Sequence, residues 1–229
     1  MVLLRSLAFN IAFFGFTALM SLAALPLLAA PSVVVRGAMR VWARGVVALL
    51  RGICGVRIVV EGREHLPASG PALIASRHES AFDTIIWFTL VPEAVYVLKR
   101  ELLRIPVYGW HARRAGMISV DRKGGATAMR GMLREAKEAT SLGRQIVIFP
   151  EGTRAHPNET LPLQPGIQAL AKATGLPVIP VATNSGRVWG RRAFLKRPGT
   201  ITIRVLPPLP AAELMPRLAA CLAAEQARL

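Results

Sequence analysis

The chain has 229 residues, enough for one domain with its own hydrophobic core and an additional segment. Its 29 Lys and Arg residues against 13 Asp and Glu give a formal net charge of +16, which indicates a polyanionic partner such as nucleic acid, an anionic membrane surface or a phosphorylated substrate. Hydrophobic residues make up 52% of the chain and no nucleic-acid-binding signature is present, so the composition favours a membrane surface and argues against nucleic acid.

The first segment is apolar. From Ser6 to Val35 it contains no charged residue, and Asn10 is its only strongly polar side chain. A helix needs about 20 apolar residues to cross the hydrocarbon core of a bilayer, and this run exceeds that length. It is also longer than the apolar part of a usual cleaved signal peptide. The segment therefore predicts a helix that crosses or re-enters a membrane.

A basic amphipathic segment follows. Arg36, Arg40, Arg44 and Arg51 fall within about 80° of one another around a helix axis. This pattern is typical of a helix lying on an anionic lipid surface, and an ordinary surface helix is the alternative. Together the two segments predict a membrane-anchoring hairpin over residues 1–54. The arginine excess places the remaining chain on the cytoplasmic side.

From residue 55 onward, short β-branched runs alternate with helical patterns. This alternation predicts an α/β domain with a mixed, mostly parallel sheet flanked by helices over residues 55–229. The predicted strands are VRIVVE, PALIAS, VYVLK, MISVD, QIVIFP, PVIPVA and TITIRVL, and the predicted helices lie near residues 80–91, 126–142, 165–175 and 211–228.

The stretch HESAFD places His78 and Asp83 five positions apart. Residues i and i+5 lie about 140° apart on a continuous helix, so these two side chains meet only if His78 lies in the turn before the helix. Ser80 is a suitable N-cap there. A carboxylate bound to one imidazole nitrogen makes the other nitrogen basic, so the pair predicts a general base that activates a hydroxyl.

Cationic residues follow three predicted strands. Lys99 follows VYVL, Arg122 follows MISVD, and Arg154 lies in FPEGTR after QIVI. Ligands of open α/β sheets bind at the carboxyl ends of the strands, so these side chains predict one anion-binding site. The polar end of PVIPVATNS, from Thr183 to Ser185, is a further candidate lining.

Other chemistries find less support. The chain has no GxSxG nucleophile elbow, and Ser80 fits a cap better than a nucleophile. The scattered His65, His111 and His156 do not form a metal-ligand set. The two cysteines have no metal-ligand spacing and give no disulfide framework, which suits a reducing compartment.

These motifs resemble those of the glycerolipid acyltransferases. HESAFD matches their HX4D motif, VDR is similar to their second motif, FPEGTR to their third and LPVIPVA to their fourth, in the same order over roughly residues 55 to 210. Many members carry another residue where Glu79 stands. Within the family, the chain most resembles the 1-acyl-sn-glycerol-3-phosphate acyltransferases.

The resemblance implies a mechanism. His78, held by Asp83, removes the proton from the sn-2 hydroxyl of lysophosphatidic acid, which attacks the thioester of acyl-CoA or acyl carrier protein. Neither a metal nor another cofactor is expected. Arg122 and Arg154, with Lys99, are expected to bind the acceptor's phosphate. Their motif neighbours Glu151, Gly152 and Thr153 complete the expected substrate-binding set, with Glu151 orienting the glycerol.

The resemblance also implies a location on the cytoplasmic face of a bacterial inner membrane, in contact with anionic lipids. Three alternatives stay open from the sequence. One is an acyltransferase for another lyso-lipid, such as lyso-ornithine lipid. The second is a non-catalytic, basic, membrane-anchored lipid-binding protein, and the third is a soluble hydrolase.

Overall fold

The structure, a computed structural model, describes residues 1–121 and 124–229. Within these residues a seven-stranded sheet has the order β1-β7-β6-β2-β5-β3-β4, and its neighbouring strands are parallel except β6 and β7. The strands are β1 (Val56–Glu61), β2 (Ala72–Ser76), β3 (Ala94–Lys99), β4 (Ile118–Val120), β5 (Gln145–Ile148), β6 (Val178–Thr183) and β7 (Gly199–Val205).

Two helices form the N-terminal part of the chain, and the others alternate with the strands along the sequence. The α-helices are α1 (Val2–Ala23), α2 (Ser32–Cys54), α3 (Asp83–Leu90), α4 (Tyr108–Ala115), α5 (Gly125–Ser141), α6 (Gly166–Thr174), α7 (Ser185–Val188) and α8 (Leu214–Ala227). Short 3-10 helices lie at Leu25–Ala29, Arg63–His65 and Arg100–Arg104. The predicted α/β class with a mixed, mostly parallel sheet is confirmed.

The three central strands β2, β5 and β6 are buried along their whole length, which is why their sequences read as continuous apolar runs rather than alternating ones. The proline-containing PVIPVA, predicted as a strand, forms β6, which lies in the interior of the sheet between β2 and β7. The helix ends also follow local chemistry. α3 stops before Pro92, where the preceding Val91 is extended, and α2 stops at Gly55 with a φ of 68°.

Helices α1 and α2 form a hairpin that packs on the domain. The indole N–H of Trp42 donates to the Thr17 hydroxyl at 3.1 Å and joins the two helices. Phe9 on α1 and Val46 and Leu50 on α2 are buried in the same hydrophobic core as the sheet. α1 is long and apolar enough to cross a membrane, and only 11% of its most apolar window is buried.

The basic stripe predicted on α2 is divided in the structure. Arg36 is buried, where its Nε donates to Glu93 at 2.5 Å and its Nη1 to the Ala115 carbonyl at 2.9 Å. Arg40 donates to the carbonyl of Pro92. The prediction of a lipid-facing surface is therefore wrong for these two arginines, because they attach α2 to the residues between α3 and β3 and to the end of α4. Arg44 and Arg51 are exposed.

Candidate active site

The site lies where the central strands end. The HESAFD turn follows β2, the FPEGTR loop follows β5, and Lys99 ends β3, and these three strands are neighbours in the order β2-β5-β3. A backbone hydrogen bond of 2.7 Å from Ala155 N–H to the His78 carbonyl ties the two loops together. Parallel strands thus bring motifs that lie about 70 residues apart in sequence to one edge of the sheet.

His78 and Asp83 meet in the way the spacing predicts. His78 lies in the turn after β2, and Asp83 is the first residue of α3. Nδ1 of His78 lies 3.1 Å from Oδ2 of Asp83. The same Oδ2 accepts the backbone N–H groups of Glu79 at 2.7 Å and Ser80 at 2.8 Å. The loop's own backbone therefore fixes the orientation of the carboxylate.

This arrangement selects a tautomer of His78. An oxygen that accepts two backbone N–H groups is an acceptor toward His78 as well, so the proton of the neutral imidazole belongs on Nδ1. The lone pair is then on Nε2, and His78 lines the cavity described below. The ring of Phe149 stacks on the imidazole with centroids 4.1 Å apart, which limits rotation of the His78 ring. Ser80 does not cap α3; its hydroxyl accepts the N–H of Phe82 at 3.1 Å within the turn.

A buried charge cluster lies behind the pair. Arg77 Nε donates to Oε1 of Glu79 at 3.0 Å, and Arg77 Nη1 lies 3.7 Å from Oε1 of Glu151. Oε2 of Glu151 accepts the backbone N–H of His78 at 3.2 Å. Oε2 of Glu79 accepts the N–H of Gly186 at 3.0 Å. All three side chains are almost fully buried, so the cluster holds the backbone on both sides of His78.

The cluster contains more acids than bases. Burial raises the pKa of Glu151 to about 7, against the opposing effect of the nearby Arg77 guanidinium. Burial also raises the pKa of Glu79. A single guanidinium does not offset the cost of burying two carboxylates, so both glutamates bind a proton more tightly than they do in water.

A cavity of about 730 Å³ opens beside His78. Its polar and cationic lining, called the cationic end below, consists of His78, Lys99, Gly152, Thr153, Arg154, Arg191 and Arg192. Most of the remaining lining is apolar and is called the apolar end. It comes largely from the helical hairpin and from β3 and the residues after it, and it includes Met20, Ala24, Val35, Ala38, Met39, Trp42, Val97, Leu102, Ile105 and Met117. A long apolar chain with a charged head group matches this shape and polarity.

The structure gathers most of the predicted site residues. His78, Lys99, Gly152, Thr153 and Arg154 line the cavity, and Asp83 supports His78 from behind. Burial lowers the pKa of the Arg154 guanidinium, and its Nε is buried without a hydrogen-bond partner among the described residues. Arg122 lies outside the described residues, so its predicted role stays a prediction.

Glu151 does not lie among the residues that line the cavity, where a substrate-binding role would place it. Its side chain is 2% exposed and it is absent from the cavity lining. Its carboxylate contacts Arg77 and the His78 backbone, so its observed contacts hold the turn that carries His78. Arg191 and Arg192 line the cavity without having been predicted. They follow no strand end, and GRRAFLKR carries no signal that separates these two arginines from solvated surface residues.

A family model described as Acyltransferase matches residues 57–184. The chain is 35% identical over 166 residues to a 1-acyl-sn-glycerol-3-phosphate acyltransferase of Pseudomonas aeruginosa, covering 72% of this chain and 64% of that one. It is 32% identical over 171 residues to the human 1-acyl-sn-glycerol-3-phosphate acyltransferase alpha, covering 73% of this chain and 60% of the relative.

These matches span about three fifths of the relatives' own length. The fold is also similar to the crystal structure of the 1-acyl-sn-glycerophosphate (LPA) acyltransferase of Thermotoga maritima, with a TM-score of 0.80 and 20% sequence identity. That similarity covers 100% of this chain and 97% of the other, so it includes the N-terminal hairpin as well as the sheet.

Proposed function

Because this chain belongs to the acyltransferase family, we propose that it transfers a fatty acyl group from a thioester to the sn-2 hydroxyl of lysophosphatidic acid, giving phosphatidic acid. The observation that carries the proposal is the 3.1 Å contact between His78 Nδ1 and Asp83 at the wall of a cavity with one cationic and one apolar end. The names of the similar proteins from Pseudomonas aeruginosa and human support the same substrate.

The pair acts as a general base. Nε2 of His78 takes the proton of the acceptor hydroxyl as its oxygen attacks the thioester carbonyl, and Asp83 stabilises the imidazolium that results. The tetrahedral intermediate collapses with cleavage of the carbon–sulfur bond. The imidazolium returns its proton to the departing thiolate, so His78 ends neutral. No covalent intermediate on the protein is required.

The cationic end of the cavity suits the acceptor's phosphate. Arg154 offers a planar fork of N–H donors, and its buried Nε lacks a partner among the described residues, so a bound phosphate oxygen would satisfy it. Lys99 also lines the cavity and adds another positive charge. A phosphorylated lyso-lipid is therefore preferred over one with an uncharged head group. The donor is the acyl thioester of coenzyme A or of acyl carrier protein.

The apolar end of the cavity suits an acyl chain. It runs beneath α1 and α2, whose outer surfaces carry exposed apolar side chains that include Leu3, Leu4, Leu7, Ile11, Phe14, Leu19 and Leu22. These uncovered side chains favour contact with lipid over contact with water. These exposed side chains support the proposal that the enzyme acts on the cytoplasmic face of a bacterial inner membrane, where lyso-lipid enters from the bilayer.

Thiol release from a long-chain acyl-CoA tests this function. The purified protein in phospholipid vesicles is supplied with acyl-CoA with and without lysophosphatidic acid, and the lipid product is identified by mass spectrometry. We expect release that depends on the acceptor, with phosphatidic acid as the product. Release without any acceptor would indicate a hydrolase. Activity only with another lyso-lipid would show that the acceptor is a different lipid, while His78 would still act as the general base.

A further inference from the structure

Three arginines share the cationic end of the cavity. Arg154, Arg191 and Arg192 all line it. In the described part of the chain none of the three guanidinium groups has a carboxylate within ion-pair distance. Burial lowers the pKa of Arg154, the nearby Asp83 carboxylate raises it, and Arg191 and Arg192 lie close enough to lower it further. One neighbouring carboxylate does not balance three guanidinium groups, so their grouping indicates a ligand with more than one negative charge.

The turn that carries Arg191 and Arg192 is attached to α1. The N–H of Ala193 donates to the Gly190 carbonyl at 3.1 Å and closes the turn. Lys196, which is 3% exposed, donates from Nζ to the side-chain oxygen of Asn10 at 2.8 Å. The Asn10 amide in turn donates to the Phe194 carbonyl at 3.0 Å.

Two further contacts strengthen this attachment. The N–H of Lys196 donates to the Ser6 hydroxyl at 2.9 Å, and the Lys196 ammonium lies 5.0 Å from the ring of Trp189. Asn10, the only strongly polar side chain between Ser6 and the end of α1, therefore holds the arginine turn in place, which explains why it interrupts an otherwise apolar segment. Arg192 has a positive φ of 54°, a conformation that this anchoring maintains.

We propose that Arg191 and Arg192 form, together with Arg154, a phosphate-binding site whose position is set by helix α1 through Asn10 and Lys196. The inference rests on the proposed function, since both substrates of that reaction carry phosphate. The ligand is the phosphate monoester of the acceptor or a phosphate of the thioester donor. Guanidinium groups bind either through paired N–H donors.

The test uses the full chain in vesicles and the double variant Arg191→Gln/Arg192→Gln. Michaelis constants are measured for lysophosphatidic acid, for acyl-CoA and for the N-acetylcysteamine thioester of the same acyl chain, which has no phosphate. We expect the KM of one phosphate-bearing substrate to rise by about tenfold or more, as loss of charge-assisted hydrogen bonds predicts. If the KM of lysophosphatidic acid rises with both donors, the site binds the phosphate of the acceptor. If only the KM of acyl-CoA rises, the site binds a phosphate of the donor.

The matched control is Arg197→Gln/Arg217→Gln, which removes the same charge from exposed arginines outside the cavity lining. Michaelis constants of the Arg191/Arg192 variant that equal those of the control would overturn the site. Asn10→Leu keeps the net charge and tests the role of α1. It should raise the same KM with kcat nearly unchanged, and an unaltered KM would overturn the positioning by α1.

Melting temperatures separate this inference from the proposed reaction. The wild type and the double variant are heated with and without coenzyme A or lysophosphatidic acid, which requires no turnover. Stabilisation that is lost in the double variant supports the phosphate site even if the wild type transfers no acyl group. If the wild type transfers acyl groups and the double variant keeps its Michaelis constants and its stabilisation by ligand, the phosphate site is wrong but the proposed reaction still holds.

Discussion

The amide of Gln226 donates a hydrogen bond of 3.0 Å to the carboxylate of Glu79, the residue that follows the candidate catalytic histidine. The two residues are 147 positions apart. The other carboxylate oxygen of Glu79 accepts the N–H of Gly186 on α7. Helices α7 and α8 therefore both contact the turn that carries His78, although neither contributes a reacting group.

Gln226→Glu should disturb this contact in a pH-dependent way. Two buried carboxylates at hydrogen-bond distance do not both ionise without a large cost, so the variant has to keep one more proton than the wild type. We expect its melting temperature to fall below that of the wild type, and by more at pH 8 than at pH 5. Ala227→Glu adds the same charge at the exposed neighbouring position, and an equal loss in both variants would contradict the argument.

Asp83→Asn should abolish most of the turnover while the protein stays folded. The amide oxygen still accepts the loop N–H groups, but a neutral amide does not stabilise an imidazolium on His78. We expect kcat to fall by about 10²–10⁴-fold with little change in either KM, and His78→Ala to lose at least as much. His65→Ala, which changes a histidine outside the cavity, is the control. An Asp83→Asn enzyme that retains a tenth of wild-type kcat would argue against the pair.

Glu151 should make stability depend on pH. Its pKa is raised to about 7 in the folded chain, against about 4.3 when unfolded, so the folded state binds the proton more tightly. The resulting stabilisation is fully present below about pH 4.3 and is lost as the pH rises through about 7. Relative to Glu151→Gln, the wild type should lose about 3 kcal/mol of unfolding free energy between these limits.

The control for Glu151 is Glu64→Gln, because Glu64 is 75% exposed. Unfolding free energies of the three proteins are compared from pH 4.5 to pH 8 in the same detergent. A wild type and a Glu151→Gln variant with parallel pH profiles would show that the pKa of the Glu151 carboxyl is not raised in the folded state.

Ala38→Phe should shorten the preferred acyl chain. Ala38 lines the apolar end of the cavity, and a phenyl ring there removes room for the end of the chain. With about 0.8 kcal/mol per buried CH₂, exclusion of two methylenes should lower the ratio of kcat/KM for long over short acyl-CoA by roughly tenfold. Val41→Phe places the same ring on the exposed face of α2. An equal change in both variants would indicate an effect on the membrane rather than on the cavity.

The parts of the fold that sequence reasoning predicted are those with local signals. The seven strands were predicted because each is a short β-branched run bounded by turn residues, and the His78–Asp83 contact because five residues and one turn determine it. Helix α4 was not predicted. Its sequence YGWHARRA is short and polar with a weak apolar stripe, and it begins after Val107, which has a positive φ of 64°.

The remaining features depend on contacts between distant segments. The stripe of arginines on α2 has the same pattern whether it faces lipid or protein, and only the position of Glu93 and Pro92 shows that Arg36 and Arg40 face the domain. Glu151 was expected to contact substrate, but the buried Arg77 draws it behind the cavity. Arg77 itself carried no sequence signal, since a single arginine is usually a surface residue.

The bond between Asn10 and Lys196 has a consequence for synthesis of the chain, because 186 residues separate the two partners. At about 5–20 residues per second, α1 leaves the ribosome roughly ten to forty seconds before Lys196 exists. During that time its polar face, with Ser6 and Asn10, has no protein partner and its apolar face already favours lipid. If α1 inserts into a membrane as proposed, it would stay at the bilayer until the last quarter of the chain is made, and the arginine turn would then assemble on the membrane.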